Sequence, residues 1–164
     1  MKKKVAISAC LMGQAVRYDG LSKLHQPIMT YLASQLDLIP FCPEVAIGLS
    51  VPREKIQLCC DNKQVRVQQV ADGRFDYTQQ LSSYARQFIA QNTDLPAIIL
   101  KSRSPSCGLF STPVIQDGKE VRLGSGQFAY IIKTEYKSIL LIEETELENI
   151  KQCNKFLSYL TDNR

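Results

Sequence analysis

The chain has 164 residues, 45% of them hydrophobic and 22% charged, which suits one well-cored domain over 1–164 and is short for two. No stretch approaches the roughly 18 consecutive apolar residues of a membrane span, and the Met1-Lys2-Lys3-Lys4 start runs into a strand-like segment rather than a signal-peptide core, so a cytoplasmic protein is expected. A net charge of +4 on dispersed Lys and Arg favours a small anion, of nucleotide size, over a long nucleic-acid tract.

In chain order, Val5 to Ala9 is an apolar run of strand length, Leu36 to Phe41 a second, Ala97 to Leu100 a third and Ile139 to Ile142 a fourth. Helical patterns fall between and after them. They cover Ile28 to Gln35, Tyr77 to Gln91 with Leu81, Tyr84, Ala85, Phe88 and Ile89 on one face, Gly126 to Thr134, and Thr145 to Leu160. Ile56 to Val70 breaks the rhythm: two β-rich stretches flank Asp61-Asn62-Lys63, as in a hairpin. The fold expected is α/β, a Rossmann-like, mainly parallel sheet of about four strands with helices on both faces and an inserted β-hairpin.

Ligands of such sheets bind outside the carboxyl ends of the strands, where loops converge at a switch in strand order. Three loops there each carry one cysteine. They are Ser8-Ala9-Cys10-Leu11-Met12-Gly13, Phe41-Cys42-Pro43-Glu44, and Leu100-Lys101-Ser102-Arg103-Ser104-Pro105-Ser106-Cys107-Gly108. A buried free cysteine is often a small hydrophobe, but three at strand ends point to metal ligands. They suit zinc with an open fourth position, or three irons of a cubane cluster with the fourth free; spacing alone leaves both open. No Cys-x-x-Cys pair is present and the one histidine is His25 at a helix start, which argues against a zinc ribbon; His25 itself stays unassigned between a base or ligand and the commoner surface or capping residue.

Cys153 falls on the apolar face of the last helix and reads as core. Cys59 and Cys60 are neighbours on a strand, point to opposite faces and read as non-ligands. Glu44 beside Cys42 can serve as base toward a water, or else pair with Arg53 or Arg17. Ser104, three residues before Cys107, can reach a sulfur or a developing oxyanion; Ser8, Ser102 and Ser106 are weaker candidates. Lys101 and Arg103 flank that loop, and Gly124-Ser125-Gly126 opens a helix whose amides could receive a phosphate.

Together the Cys10, Cys42 and Cys107 motifs, with Arg17-Tyr18-Asp19-Gly20, Gly48-Leu49 and Pro52-Arg53, resemble the DUF523 family, which includes the thiouracil desulfidases. The resemblance runs from Val5 to about Ile142. It implies a 4Fe-4S cluster on Cys10, Cys42 and Cys107 whose fourth iron is open to the sulfur of a thiolated uracil. It also implies Glu44 and Ser104 as catalytic, and a hydrolytic desulfidase releasing sulfide from thiouracil or 4-thiouridine monophosphate. Ser8, Lys101, Arg103, Gly124, Ser125 and Gly126 are the substrate-binding candidates. Many relatives continue the glycine loop with small residues, whereas Gln127 and Phe128 follow here, a change expected to reshape the pocket. The competing expectations are a non-catalytic metal-binding or cluster-sensing protein, a zinc or thiol redox enzyme, and a tRNA-acting desulfidase, for which the chain lacks an added basic RNA-binding domain.

Overall fold

The computed structural model describes residues 1–162. Four strands form a parallel sheet in the order β2-β1-β5-β8, where β1 is Lys3–Ser8, β2 Leu36–Phe41, β5 Ala97–Leu100 and β8 Leu140–Glu143. These are the four apolar runs of the sequence. They are continuous rather than alternating because both faces are covered. On one face Val5, Ile7, Ala97 and Ile99 pack against α1 (Gln26–Tyr31) and α5 (Ile150–Asp162), through Ile28, Cys153, Phe156 and Leu160. On the other, Ala6, Ile98 and Leu100 meet α3 (Thr78–Gln91) and α4 (Gln127–Glu135), through Ala85, Phe88, Phe128 and Ile132. Phe41, Tyr84, Phe88 and Phe128 interlock there, with ring centroids 4.8 to 5.9 Å apart.

The order β2-β1-β5 places a topological switch beside β1: the chain steps to one side of it for β2 and to the other for β5. The loops after these three strands therefore diverge at the sheet's carboxyl edge and leave a crevice.

The expected hairpin is there, as β3 (Ile56–Asp61) and β4 (Gln64–Gln69), but it is not a lone insertion. β3 also pairs in parallel with β6 (Thr112–Gln116), which forms a second hairpin with β7 (Lys119–Gly124), giving a second four-stranded sheet β4-β3-β6-β7. It buries Ile56, Leu58, Val67 and Val114 against Leu81 of α3. The helix expected over Ile28 to Gln35 ends early, at Tyr31, and that expected from Thr145 begins as a 3-10 turn, Glu144–Glu146, before α5. No helix among the described residues is long and apolar enough to cross a membrane.

Candidate metal centre and active site

Each cysteine loop leaves its strand by a different local device. After β1 the chain makes a single 3-10 turn, Ala9–Met12, closed by Gly13 at φ 87°, a left-handed conformation that glycine adopts without strain. That turn buries Cys10 directly beyond the strand. Cys42 is the N-cap of α2 (Pro43–Ala46), where Pro43 supplies the pre-set helical φ of a first turn. Cys107 lies in the loop between β5 and β6. Because Ser8 pairs with Phe41 and Ile7 with Ile99, the three loops start side by side. All three thiols line one cavity of about 640 Å³, walled by both sheets.

No disulfide joins the six cysteines. Burial pushes the Cys10 thiol up to about 11, against the opposing pull of Lys101 and with a further push from Cys42. Burial also raises Cys42, less a backbone hydrogen bond from Val45. Cys107, wholly enclosed, is raised furthest by burial; Ser8 and Ser106 hydrogen bonds offset this while Cys42 and Cys10 add to it. Three dry thiols that repel one another as thiolates form a soft, all-sulfur donor set that needs a cationic occupant to ionise. Among the described residues no three His, Cys, Asp or Glu donors are drawn together around the position of a single ion.

A chain of side-chain hydrogen bonds fastens the three loops to one another. Arg53 is its centre: Nε donates to Glu44 Oε2 at 2.8 Å, Nη2 to the Val16 carbonyl at 2.8 Å and Nη1 to the Ser50 carbonyl at 3.2 Å. Its backbone amide donates to the Tyr18 carbonyl at 2.9 Å. The other carboxylate oxygen of Glu44, Oε1, accepts from Ser106 Oγ at 3.1 Å. Val16 and Tyr18 follow Cys10, Glu44 follows Cys42 and Ser106 precedes Cys107, so Arg53 and Glu44 bridge all three. The pairing of Glu44 with Arg53 was legible as an alternative to a free base. The structure makes the Arg53 pair, and Glu44 also borders the cavity.

The Cys107 loop has its own anchors. Ser104 Oγ accepts from the Cys107 amide at 3.0 Å and the Ser106 amide at 3.3 Å, and lies 3.0 Å from Ser106 Oγ. Ser106, at 3.8 Å, and Ser8, rather than Ser104, are the serines that reach the Cys107 sulfur. Two consecutive buried carboxylates at the end of β8 hold the loop's feet. Glu144 accepts from Lys101 Nζ at 2.6 Å, Ser102 N at 2.7 Å and Ser102 Oγ at 2.8 Å. Glu143 accepts from the Leu109 amide at 2.6 Å and from the Ser111 hydroxyl. Ser8 Oγ accepts from the Lys101 amide at 3.0 Å. Nothing in the local sequence marks Glu143 and Glu144 except that two acids end an apolar strand.

Of the substrate-binding candidates, Ser8, Lys101 and Arg103 line the cavity, Lys101 already paired with Glu144 and Arg103 exposed with φ 62°. Gly124, Ser125 and Gly126 do not line it, contrary to expectation. The α4 amides face the Cys107 loop instead: Gln127 N donates to the Pro105 carbonyl at 3.0 Å and Ala129 N to that of Ser106 at 3.2 Å. Gly126 N donates to the Gly108 carbonyl at 2.8 Å, and a Cβ on Gly126 would sit 2.4 Å from the carbonyl carbon of Ser106. Gly126 permits this backbone contact, and Gly124 packs instead on the side chains of Val114 and Leu58. Gln127 and Phe128 do not reshape the cavity either: Gln127 donates to Ser82 at 2.9 Å and Phe128 is core. Cys153 is fully buried in the core, and neither Cys59 nor Cys60 reaches the cavity. His25 caps α1, accepting from the Ile28 amide at 3.4 Å.

The sequence matches the 2-thiouracil desulfurase family over residues 5–145, a span that holds all three cysteine loops. The chain belongs to that family. Among curated proteins this desulfurase-family chain is similar to the uncharacterized protein YbbK of Bacillus subtilis, 29% identical over 153 residues that cover 89% of this chain and 99% of the relative. Among solved structures it is similar to the 4Fe-4S-dependent thiouracil desulfidase TudS, with a TM-score of 0.71, 26% identity, and coverage of 96% of this chain and 99% of that one. The two-sheet α/β fold is thus shared with TudS.

Proposed function

We propose that this desulfurase-family protein is a single-domain, iron-sulfur-dependent desulfidase that hydrolyses the thiocarbonyl of a thiolated uracil and releases sulfide. The observation that carries the reading is the convergence of Cys10, Cys42, Cys107, Glu44 and Ser104 on one cavity at the switch of a parallel sheet. The likeness to TudS supports a 4Fe-4S cluster as the occupant, held by Cys10, Cys42 and Cys107. When bound, such a cluster supplies an open iron as a Lewis acid toward a thiocarbonyl sulfur.

The chain's own groups supply the rest. Glu44, fixed by Arg53 on Oε2, keeps Oε1 on Ser106 and on the cavity side, where a carboxylate can take a proton from an attacking water. Ser104 borders the same space and can steady the oxygen of the tetrahedral adduct or pass a proton on. Water adds to the thiocarbonyl carbon, the carbon–sulfur bond breaks, and a uracil-type base and sulfide result with no net electron transfer. Lys23, Lys55 and Arg103 border the cavity without ion-pair partners among the described residues. That rim supports a thionucleotide, such as 4-thiouridine monophosphate, over the free base.

Anaerobic reconstitution followed by the thiocarbonyl absorbance of 4-thiouridine monophosphate tests this. Loss of the band with matching sulfide, abolished in Cys10→Ala, is expected; a stable cluster without turnover of base or nucleotide refutes it. A second reading, a cluster-binding protein without catalysis, draws on the full engagement of Glu44 with Arg53. It requires Glu44→Ala to leave any turnover unchanged.

A further inference from the structure

Arg17 stands apart from the other cations of the cavity. Its Nε is buried and has no hydrogen-bond partner among the described residues. Its charge is paired with Asp19, whose Oδ1 lies 3.5 Å from Nε and also accepts from the Leu21 amide at 3.0 Å, a contact too loose to serve Nε as a hydrogen bond. The side chain is 23% exposed and borders the cavity, and its guanidinium carbon sits 5.7 Å from the Tyr18 ring centroid. Arg53, in the same wall, spends its Nε and both Nη groups on protein acceptors.

A charged N–H removed from water without an acceptor is costly, and a guanidinium cannot escape by losing its proton. Such a donor, held against a cavity, is placed for an acceptor on the ligand. Arg17 offers donors only, so it cannot receive the N–H groups of a pyrimidine ring. It borders the cavity from the segment that follows Cys10, while Glu44 borders it from the first turn of α2, beside Cys42. A flat ring between them, with its thiocarbonyl at the triad and toward Glu44, presents to Arg17 its remaining acceptor, the carbonyl oxygen across N3.

We infer that Arg17 binds the non-thiolated carbonyl oxygen of the substrate and thereby selects thiolated pyrimidinediones over other cyclic thioamides. The inference rests on the desulfidase reading. Arg17 also favours the reaction, because water attack next to N3 pushes electron density toward that oxygen.

The test compares 2-thiouracil with 2-thiopyridone, which keeps the thiocarbonyl and lacks the second carbonyl, in reconstituted wild type, Arg17→Met and Arg17→Gln. A calorimetric titration with uracil reads binding without turnover. Arg17→Met is expected to lower kcat/KM for 2-thiouracil about 10- to 100-fold and to weaken uracil binding comparably. Thiopyridone turnover should change less than about threefold, with iron content kept, and Arg17→Gln, which retains N–H donors, should recover part of the uracil affinity. Equal losses on both thioamides, unchanged uracil binding, or loss of iron in both variants would overturn the assignment. A wild type that binds uracil through Arg17 but desulfurates neither compound would sink the desulfidase reading and spare this one.

Discussion

Replacing Arg53 with methionine keeps most of the aliphatic stem and removes the guanidinium that ties two loops to Glu44. The Arg53 side chain is 6% exposed and that of Glu44 11%, so the change leaves a buried carboxylate without its cation and two carbonyls, those of Val16 and Ser50, without their donor. Breaking a buried pair from one side costs about 3–5 kcal/mol, a large part of the 5–15 kcal/mol typical of a domain. In a chain of this size each kcal/mol moves Tm by about 2–4 °C, so a fall of roughly 6–20 °C is expected. Thermal scans of anaerobically purified wild type, Arg53→Met and the double variant Arg53→Met/Glu44→Gln read it. The double variant should be the more stable of the two, because its buried carboxylate has been neutralised. An Arg53→Met cost under about 1 kcal/mol, the scale of an exposed ion pair, would refute the bridging role.

Gly126→Ala drives a methyl into the Ser106 carbonyl carbon at 2.4 Å, so the Cys107 loop must move; iron bound per chain should fall well below wild type, and full occupancy would contradict the docking of that loop on α4. In metal-free protein Cys10, pushed up to about 11, is almost wholly thiol at neutral pH. Since the thiolate is what alkylates, iodoacetamide labelling of Cys10 followed by mass spectrometry should be slow near pH 7 and rise with pH until about 11; fast labelling near pH 7 would show the thiol to be less buried. Phe128→Ala empties the centre of the aromatic group behind Cys42 and should cost about 3–5 kcal/mol by urea denaturation, a small loss indicating collapse of the neighbouring rings.

The parallel sheet and its cysteine loops could be read from the sequence because doubly covered strands are continuous apolar runs and Cys10, Cys42 and Cys107 each lie in the loop that follows one. The second sheet was half legible. Asp61 to Lys63 betrayed β3 and β4, but β6 contains Pro113, and β7 is an exposed edge strand in which only Val121 and Leu123, themselves exposed, alternate with Glu120 and Arg122. The signal that could have found them is Asp117-Gly118, both at positive φ, the turn chemistry of a two-residue hairpin. Gly124 to Gly126 misled because an open helix N-terminus and one closed by a neighbouring loop have the same sequence. Glu44 and Arg53, nine residues apart, could be paired from the sequence, but Glu143 and Glu144 act across 32 to 43 residues of chain, and local pattern carries no trace of such partners.

The bracket that joins the cysteine loops is made mainly of carboxylates, hydroxyls, amides and one guanidinium, with only long contacts to sulfur, such as Cys42 Sγ to the Val16 carbonyl at 4.0 Å. In small zinc domains, by contrast, the ion supplies the folding energy and the apo form is unstructured. Here the protein's own hydrogen bonds link the loops. Insertion of the cluster proposed above would then be closer to docking a part into a finished socket than to folding a chain around it.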